Sequence, residues 1–268
     1  MNAPHFLDLN DGRRLAYHRT FAKGELARAP GVAFLGGFAS DMTGTKAAHL
    51  QLWAEARGCA FLRFDYTGHG ASSGRFAEGC VGDWARDARD ALAHLTEGPQ
   101  ILVGSSMGGW IALLIAREAP ERVAALVGIA AAPDFTEDAM WRGFSAAQRA
   151  ELAERGEVVV PSDYDPAGLT VTRRLIEDGR DNLVLRTPLH LPFPVRLLQG
   201  TADVDVPPAV GLRLLDHIDA ADLRLTLVKR ADHRFSGPAE LALLTAELDA
   251  LLDRFAAQTG QSGIGAPA

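Results

Sequence analysis

"ILVGSSMGGW", residues 101–110, runs from an apolar stretch into two adjacent serines and three glycines. A nucleophile at a strand-to-helix turn sits on strained backbone. The residues two before and two after it press on neighbouring chain, so both must be small. Centred on Ser106, those flanks are Gly104 and Gly108. Centred on Ser105, they are Val103 and Met107, both bulky. Ser106 is therefore the candidate nucleophile, and Ser105 is expected at the strand–helix junction in a structural role. The surroundings agree, because "QILVG" (100–104) reads as a buried strand and "MGGWIALLIAREAP" (107–120) as a helix stopped by Pro120.

The same alternation extends in both directions. "FLDL" and "RRLAYHR" flank Asn10-Asp11-Gly12, a hairpin signal. "GVAFLG" (31–36), "CAFLRF" (59–64), "RVAALVGIA" (122–130), "PVRLLQG" (194–200) and "LRLTLV" (223–228) read as strands. Helices are expected over 44–57, 82–95, 208–219 and 238–255. In the last, Leu241, Leu244, Leu248, Leu251 and Phe255 step by three and four, the spacing of one helical face. Short apolar strands alternating with helices predict an α/β fold: a mostly parallel central sheet covered by helices on both faces. The rhythm breaks at Pro133. Residues 134–190 carry weak helical stretches and are expected to form a cap inserted between two strands of one domain, residues 1–255. The tail from 256, "AAQTGQSGIGAPA", is expected to be disordered.

The chain has 268 residues and a formal net charge of −7, with 47% hydrophobic and 23% charged residues. That balance suits a large buried core and gives no electrostatic case for nucleic acid or an anionic membrane as partner. No apolar run approaches the ~18 residues of a membrane span. Two cysteines, Cys59 and Cys80, suit a reducing compartment. The N-terminus shows no secretory pattern, so a cytoplasmic address is expected. "DYTGHGASSG" misses G-x-G-x-x-G, because Ser73 holds the third position. No phosphate-binding lysine loop, H-E-x-x-H or paired Cys/His spacing occurs, so no cofactor and no metal is expected.

A serine nucleophile needs a base on the same edge of the sheet, at the C-terminal ends of the strands. His233, in "VKRADHRFSGP", follows the last strand, which fits the chain order Ser…acid…His. His69 precedes Ser106 and breaks that order. The acid should follow a strand between the two. "LLQGTADVDVP" offers Asp203, the first after its strand, and Asp205; Asp134 follows the preceding strand and is a geometric alternative. Two backbone N–H groups should face a developing oxyanion: Met107, at the start of the helix, and Phe38, in Gly36-Gly37-Phe38-Ala39-Ser40. In the cap, Trp141, Phe144 and Leu169 are candidate substrate-binding residues.

"G-S-S-M-G-G", "F-D-Y-x-G-H-G-x-S", "G-T-A-D-x-x-V-P" and "D-H", in that order, resemble the α/β-hydrolase superfamily over about residues 10–255. "GGFASDMTGTKA", "RFDYTGHGASSG", "EGPQILVGSSMGGW" and "RADHR" look most like one branch. This is the branch of mitochondrial palmitoyl-protein thioesterases, also called mycophenolic acid acyl-glucuronide esterases, and their bacterial relatives. The resemblance implies Ser106, Asp203 and His233 as a triad, with Phe38 and Met107 as oxyanion donors. It implies a serine esterase or thioesterase acting on a small-molecule or acylated-protein substrate. Many members carry His-Gly where this chain has Gly36-Gly37. A mitochondrial address is not expected, because no transit peptide is visible. Carbon–carbon bond hydrolysis and a non-catalytic ligand-binding role remain the alternative readings.

Overall fold

A computed structural model describes residues 3–161, 166 and 168–262. Its strands, in chain order, are β1 (His5–Asp8), β2 (Arg14–Thr20), β3 (Gly31–Leu35), β4 (Phe61–Phe64), β5 (Gln100–Ser105), β6 (Val123–Ile129), β7 (Glu157–Val160), β8 (Leu169–Thr172), β9 (Leu189–His190), β10 (Val195–Gly200), β11 (Ile218–Asp219) and β12 (Leu223–Val228). The helices are α1 (Thr45–Arg57), α2 (Val81–Leu95), α3 (Met107–Glu118), α4 (Ala146–Arg155), α5 (Arg173–Asp181), α6 (Pro208–His217) and α7 (Pro238–Ser262).

Eight strands form the main sheet in the order β1-β2-β4-β3-β5-β6-β10-β12. The β1–β2 and β2–β4 pairs are antiparallel, and every later pair is parallel. Because strand side chains alternate, β5 feeds both faces. Leu102 joins the apolar core that contains Trp84 and Trp110, from α2 and α3. Ile101 and Val103 join the core that contains Leu50 of α1 and Leu244 and Leu248 of α7. The apolar stripe read along 238–255 is thus the buried face of α7. Each of its fully buried leucines contributes about 1.5–3 kcal/mol over exposure.

Strand β6 pairs directly with β10, with Leu126 opposite Val195, although 134–190 lies between them in sequence. That excursion contains a π-helical turn over Thr136–Trp141, α4, an antiparallel β7–β8 hairpin and α5. The hairpin departs from the weakly helical reading. "EVVV" and "LTVT" are rich in β-branched side chains, which favour the pleated surface. Helix α7 also continues to Ser262, past the expected end at 255. Residues 263–268 of the expected disordered tail lie outside the described residues.

Candidate active site

Ser106 stands between the end of β5 and the start of α3 with φ 54° and ψ −119°. This is positive-φ backbone that costs a non-glycine residue energy and persists only where the surroundings fix it. Those surroundings are visible. The Ser106 N–H donates to the Ile129 carbonyl at 2.9 Å, and its own carbonyl accepts from Ala132 N–H at 3.0 Å. A side chain at Gly104 would strike the Gly108 carbonyl, and one at Gly108 would strike the carbonyls of Leu35 and Gly36. The small flanks that selected Ser106 in the sequence therefore meet backbone on both sides. Ser105 is buried at the end of β5.

His233 lies in the loop between β12 and α7. Its Nε2 is 3.1 Å from Ser106 Oγ, and its Nδ1 is 2.9 Å from Asp203 Oδ2. Asp203, after β10, is buried and saturated. Oδ1 accepts the N–H groups of Asp205 (3.0 Å) and Val206 (2.8 Å), and Oδ2 also accepts from Gln199 Nε2 at 3.0 Å. Burial pushes the Asp203 carboxyl up, but the bonds from His233, Val206 and Gln199 outweigh it and hold its pKa below the usual value. An ionised carboxylate only accepts, so the shared proton sits on Nδ1 and Nε2 turns its lone pair toward Ser106. Gln199 had no sequence signal, being one polar residue inside an apolar strand.

Of the other candidates, Asp205 lines the cavity beside His233, whereas Asp134 and His69 serve the scaffold. Asp134 is buried and accepts from the N–H groups of Val184 (2.8 Å) and Leu185 (3.0 Å) and from Arg186 (3.1 Å). It pins the returning end of the excursion, and the acid bonded to His233 is Asp203. His69 is buried among Tyr66, Phe76 and Trp84. Its Nδ1 lies 3.3 Å from the Thr67 carbonyl, and burial lowers its pKa to about 4. The near-miss glycine motif holds a turn. Asp65 accepts Met42 N–H (2.6 Å) and Ala71 N–H (2.9 Å), and a side chain at Gly70 would fill the space of that carboxylate. One end of the loop carrying Phe38 is thereby tied down.

That loop lies against the nucleophile turn: a Cβ on Gly37 would sit 3.4 Å from Ser106 Cβ. The N–H groups of Phe38 and Met107 take no part in the turn and loop hydrogen bonds of the described residues. Met107 opens α3, where the first N–H groups have no intrahelical partner. Beyond the loop, the Lys46 ammonium donates to the carbonyl of Arg234, joining α1 to the His233 loop. Burial brings its pKa down to about 8.

A cavity of about 610 Å³ opens over Ser106 and His233. Phe135, Met140, Val160 and Leu169 supply its wall from the excursion. Leu169, a sequence candidate, lines the cavity. Trp141 and Phe144 are not in the wall. The π-helical turn presents Ala139 and Met140 to the cavity, while Trp141 stacks under Arg149 and Arg180 and Phe144 is buried in the core. Among the described residues, one trio of metal-ligating type, Asp203, Asp205 and His233, brings its atoms within 4.8 Å of one another. The bonds above already occupy the oxygens of Asp203 and both nitrogens of His233, which suits a proton relay and not a cation cage.

This sheet, with a serine on a strained turn facing a histidine and an acid, defines a class, and the chain belongs to it: it is a hydrolase of the α/β-hydrolase fold family, whose model matches residues 38–161. Within that family it is 37% identical to mouse mitochondrial palmitoyl-protein thioesterase ABHD10, over 93% of this chain and 82% of that protein. The solved structure of mouse α/β hydrolase domain-containing protein 10 superposes with a TM-score of 0.85 at 36% identity, covering 94% of this chain and 99% of that one. A protein from Agrobacterium vitis S4, described as a hydrolase, superposes at 0.87 with 40% identity, covering 93% and 98%. These relatives correct the cytoplasmic expectation. The ABHD10 proteins are named mitochondrial, not cytoplasmic. Two buried free thiols fit any reducing compartment, so the cysteine count could not discriminate. Among the described residues, no helix is long and apolar enough to cross a membrane.

Proposed function

We propose that the chain hydrolyses ester or thioester bonds of acyl substrates through an acyl-serine intermediate, with Ser106, His233 and Asp203 as its triad. His233 Nε2 takes the Ser106 proton as Oγ attacks the acyl carbonyl, and Asp203 holds the imidazole and stabilises its cation. The tetrahedral oxyanion is received by the N–H groups of Phe38 and Met107. The imidazolium then protonates the leaving alcohol or thiol. Water, activated through the neutral His233, attacks the acyl-serine and frees the acid and Ser106.

The observation that carries this reading is the continuous relay from Ser106 Oγ through His233 to Asp203 at the floor of a largely apolar cavity. The name of the ABHD10 relatives, palmitoyl-protein thioesterase, supports an acylated protein as substrate; a small acyl compound is the alternative. No basic surface is invoked, and nucleic acid has no part in the reading. Residues 1–255 act as one domain, and 134–190 act as the cap that shapes the acyl site. The test is turnover of p-nitrophenyl esters, acyl-CoA and S-acyl peptides of graded chain length, alongside Ser106→Ala. Turnover that depends on Ser106 supports the reading. Turnover that survives in Ser106→Ala, or none on any acyl substrate, refutes it.

A further inference from the structure

The two N–H groups assigned to the oxyanion lie on separate segments, and one side chain touches both. Phe135 places its ring edge-on to Phe38, with centroids 5.4 Å apart and planes at 64°. It meets Trp110 in the same manner at 5.5 Å and 83°. Phe38 carries one donor. Trp110 lies on α3, the helix whose first residue, Met107, carries the other. Phe135 also lines the cavity over Ser106. Its backbone is anchored, because Asp134 just before it has φ 58° and a buried carboxylate held by Val184 and Leu185 N–H groups. Phe38 leans as well on Phe76 (5.0 Å) and Trp84 (5.7 Å), so its ring sits among three aromatic neighbours.

We infer that Phe135 is a positioning residue: it sets the Phe38 N–H relative to the Met107 N–H and couples that spacing to whatever fills the cavity. Edge-to-face aromatic pairs have preferred geometry, so a ring wedged between Phe38 and Trp110 resists displacement of either segment. Donors aimed at an oxyanion lose effect steeply when they move. An acyl chain lying against the cavity face of Phe135 presses on the same ring that fixes the donor. The root of the cap thus contributes to the rate as well as to acyl selection.

This inference rests on Ser106 as nucleophile and on Phe38 and Met107 as donors, and its test separates the two. Kinetics on p-nitrophenyl acetate are measured with inhibition by methylboronic acid, whose tetrahedral serine adduct places an oxygen in the oxyanion site and carries only a methyl group in place of an acyl chain. Phe135→Leu should lower kcat about fivefold or more and weaken the boronate by a similar factor, with KM within about twofold. Phe135→Tyr, which keeps the ring, should restore both. If Phe135→Leu does not fold, Phe135→Met is read by the same criteria. Wild-type activity that ignores the boronate, or survives in Ser106→Ala, refutes the underlying reading. A boronate-sensitive wild type whose leucine variant keeps kcat and inhibition within twofold, or loses kcat alone, overturns the role of Phe135.

Discussion

A side chain at Gly108 would run into the carbonyl oxygen of Leu35. The end of β3 therefore lies directly against the first turn of α3, and the loop leaving β3 carries Phe38 past Ser106. Gly108→Ala should displace that packing. Overpacking of this kind costs about 1–3 kcal/mol. Thermal unfolding should show the loss, and turnover should fall with it because the turn that presents Ser106 is forced to shift.

Asp203→Asn should lower kcat roughly 10³–10⁴-fold, because an amide no longer holds the imidazole in the productive tautomer. Asp205→Asn should cost less than about tenfold. Asp134→Asn should also cost less than about tenfold in rate but about 1–3 kcal/mol in stability, since it weakens the buried bonds to Val184, Leu185 and Arg186. Steady-state kinetics and urea unfolding of the three variants separate these outcomes. Near-normal turnover in a folded Asp203→Asn enzyme contradicts the assignment.

The difference between these acids shows what the sequence could carry. The flanks of Ser106 are local steric demands, so Gly104 and Gly108 disclosed the turn. Order along the chain and position after a strand selected His233 and Asp203. The cavity wall was less legible. Which side chain of 136–141 faces inward depends on a π-helical turn, whose period differs from 3.6, and Trp141 was chosen where Met140 lines the wall. The β7–β8 hairpin was missed although "EVVV" and "LTVT" carry the β-branched residues that announce strands. Phe135 had no signal at all, because its role is to meet two rings from distant parts of the chain.

The corrected wall makes a prediction about acyl length. Met140→Trp and Leu169→Phe add bulk to the cavity and should shorten the longest p-nitrophenyl ester turned over efficiently. Trp141→Ala, outside the wall, should leave that preference unchanged. Phe144→Ala should cost about 3–5 kcal/mol as a core truncation. A chain-length shift in Trp141→Ala with none in Met140→Trp would place the acyl site elsewhere.

His69 predicts a specific acid sensitivity. Burial lowers its pKa from 6.5 to about 4, so the unfolded chain binds the proton more readily than the folded one. The stabilising effect is complete above about pH 6.5 and is lost as pH falls toward 4, a change of about 3 kcal/mol. His69→Phe removes this proton uptake. Its stability should therefore fall less than that of the wild type between pH 7 and pH 4.5, as read by denaturant unfolding. Equal losses would show that His69 does not drive the acid sensitivity.

The most direct test of the account is covalent. A fluorophosphonate reacts with a serine that a neighbouring base activates, and peptide mapping by mass spectrometry reads which serine carries the adduct. The account predicts one adduct on Ser106, none in Ser106→Ala, and most of the labelling retained in Ser105→Ala. Label on Ser105, or label lost in a folded Ser105→Ala and kept in Ser106→Ala, would contradict it.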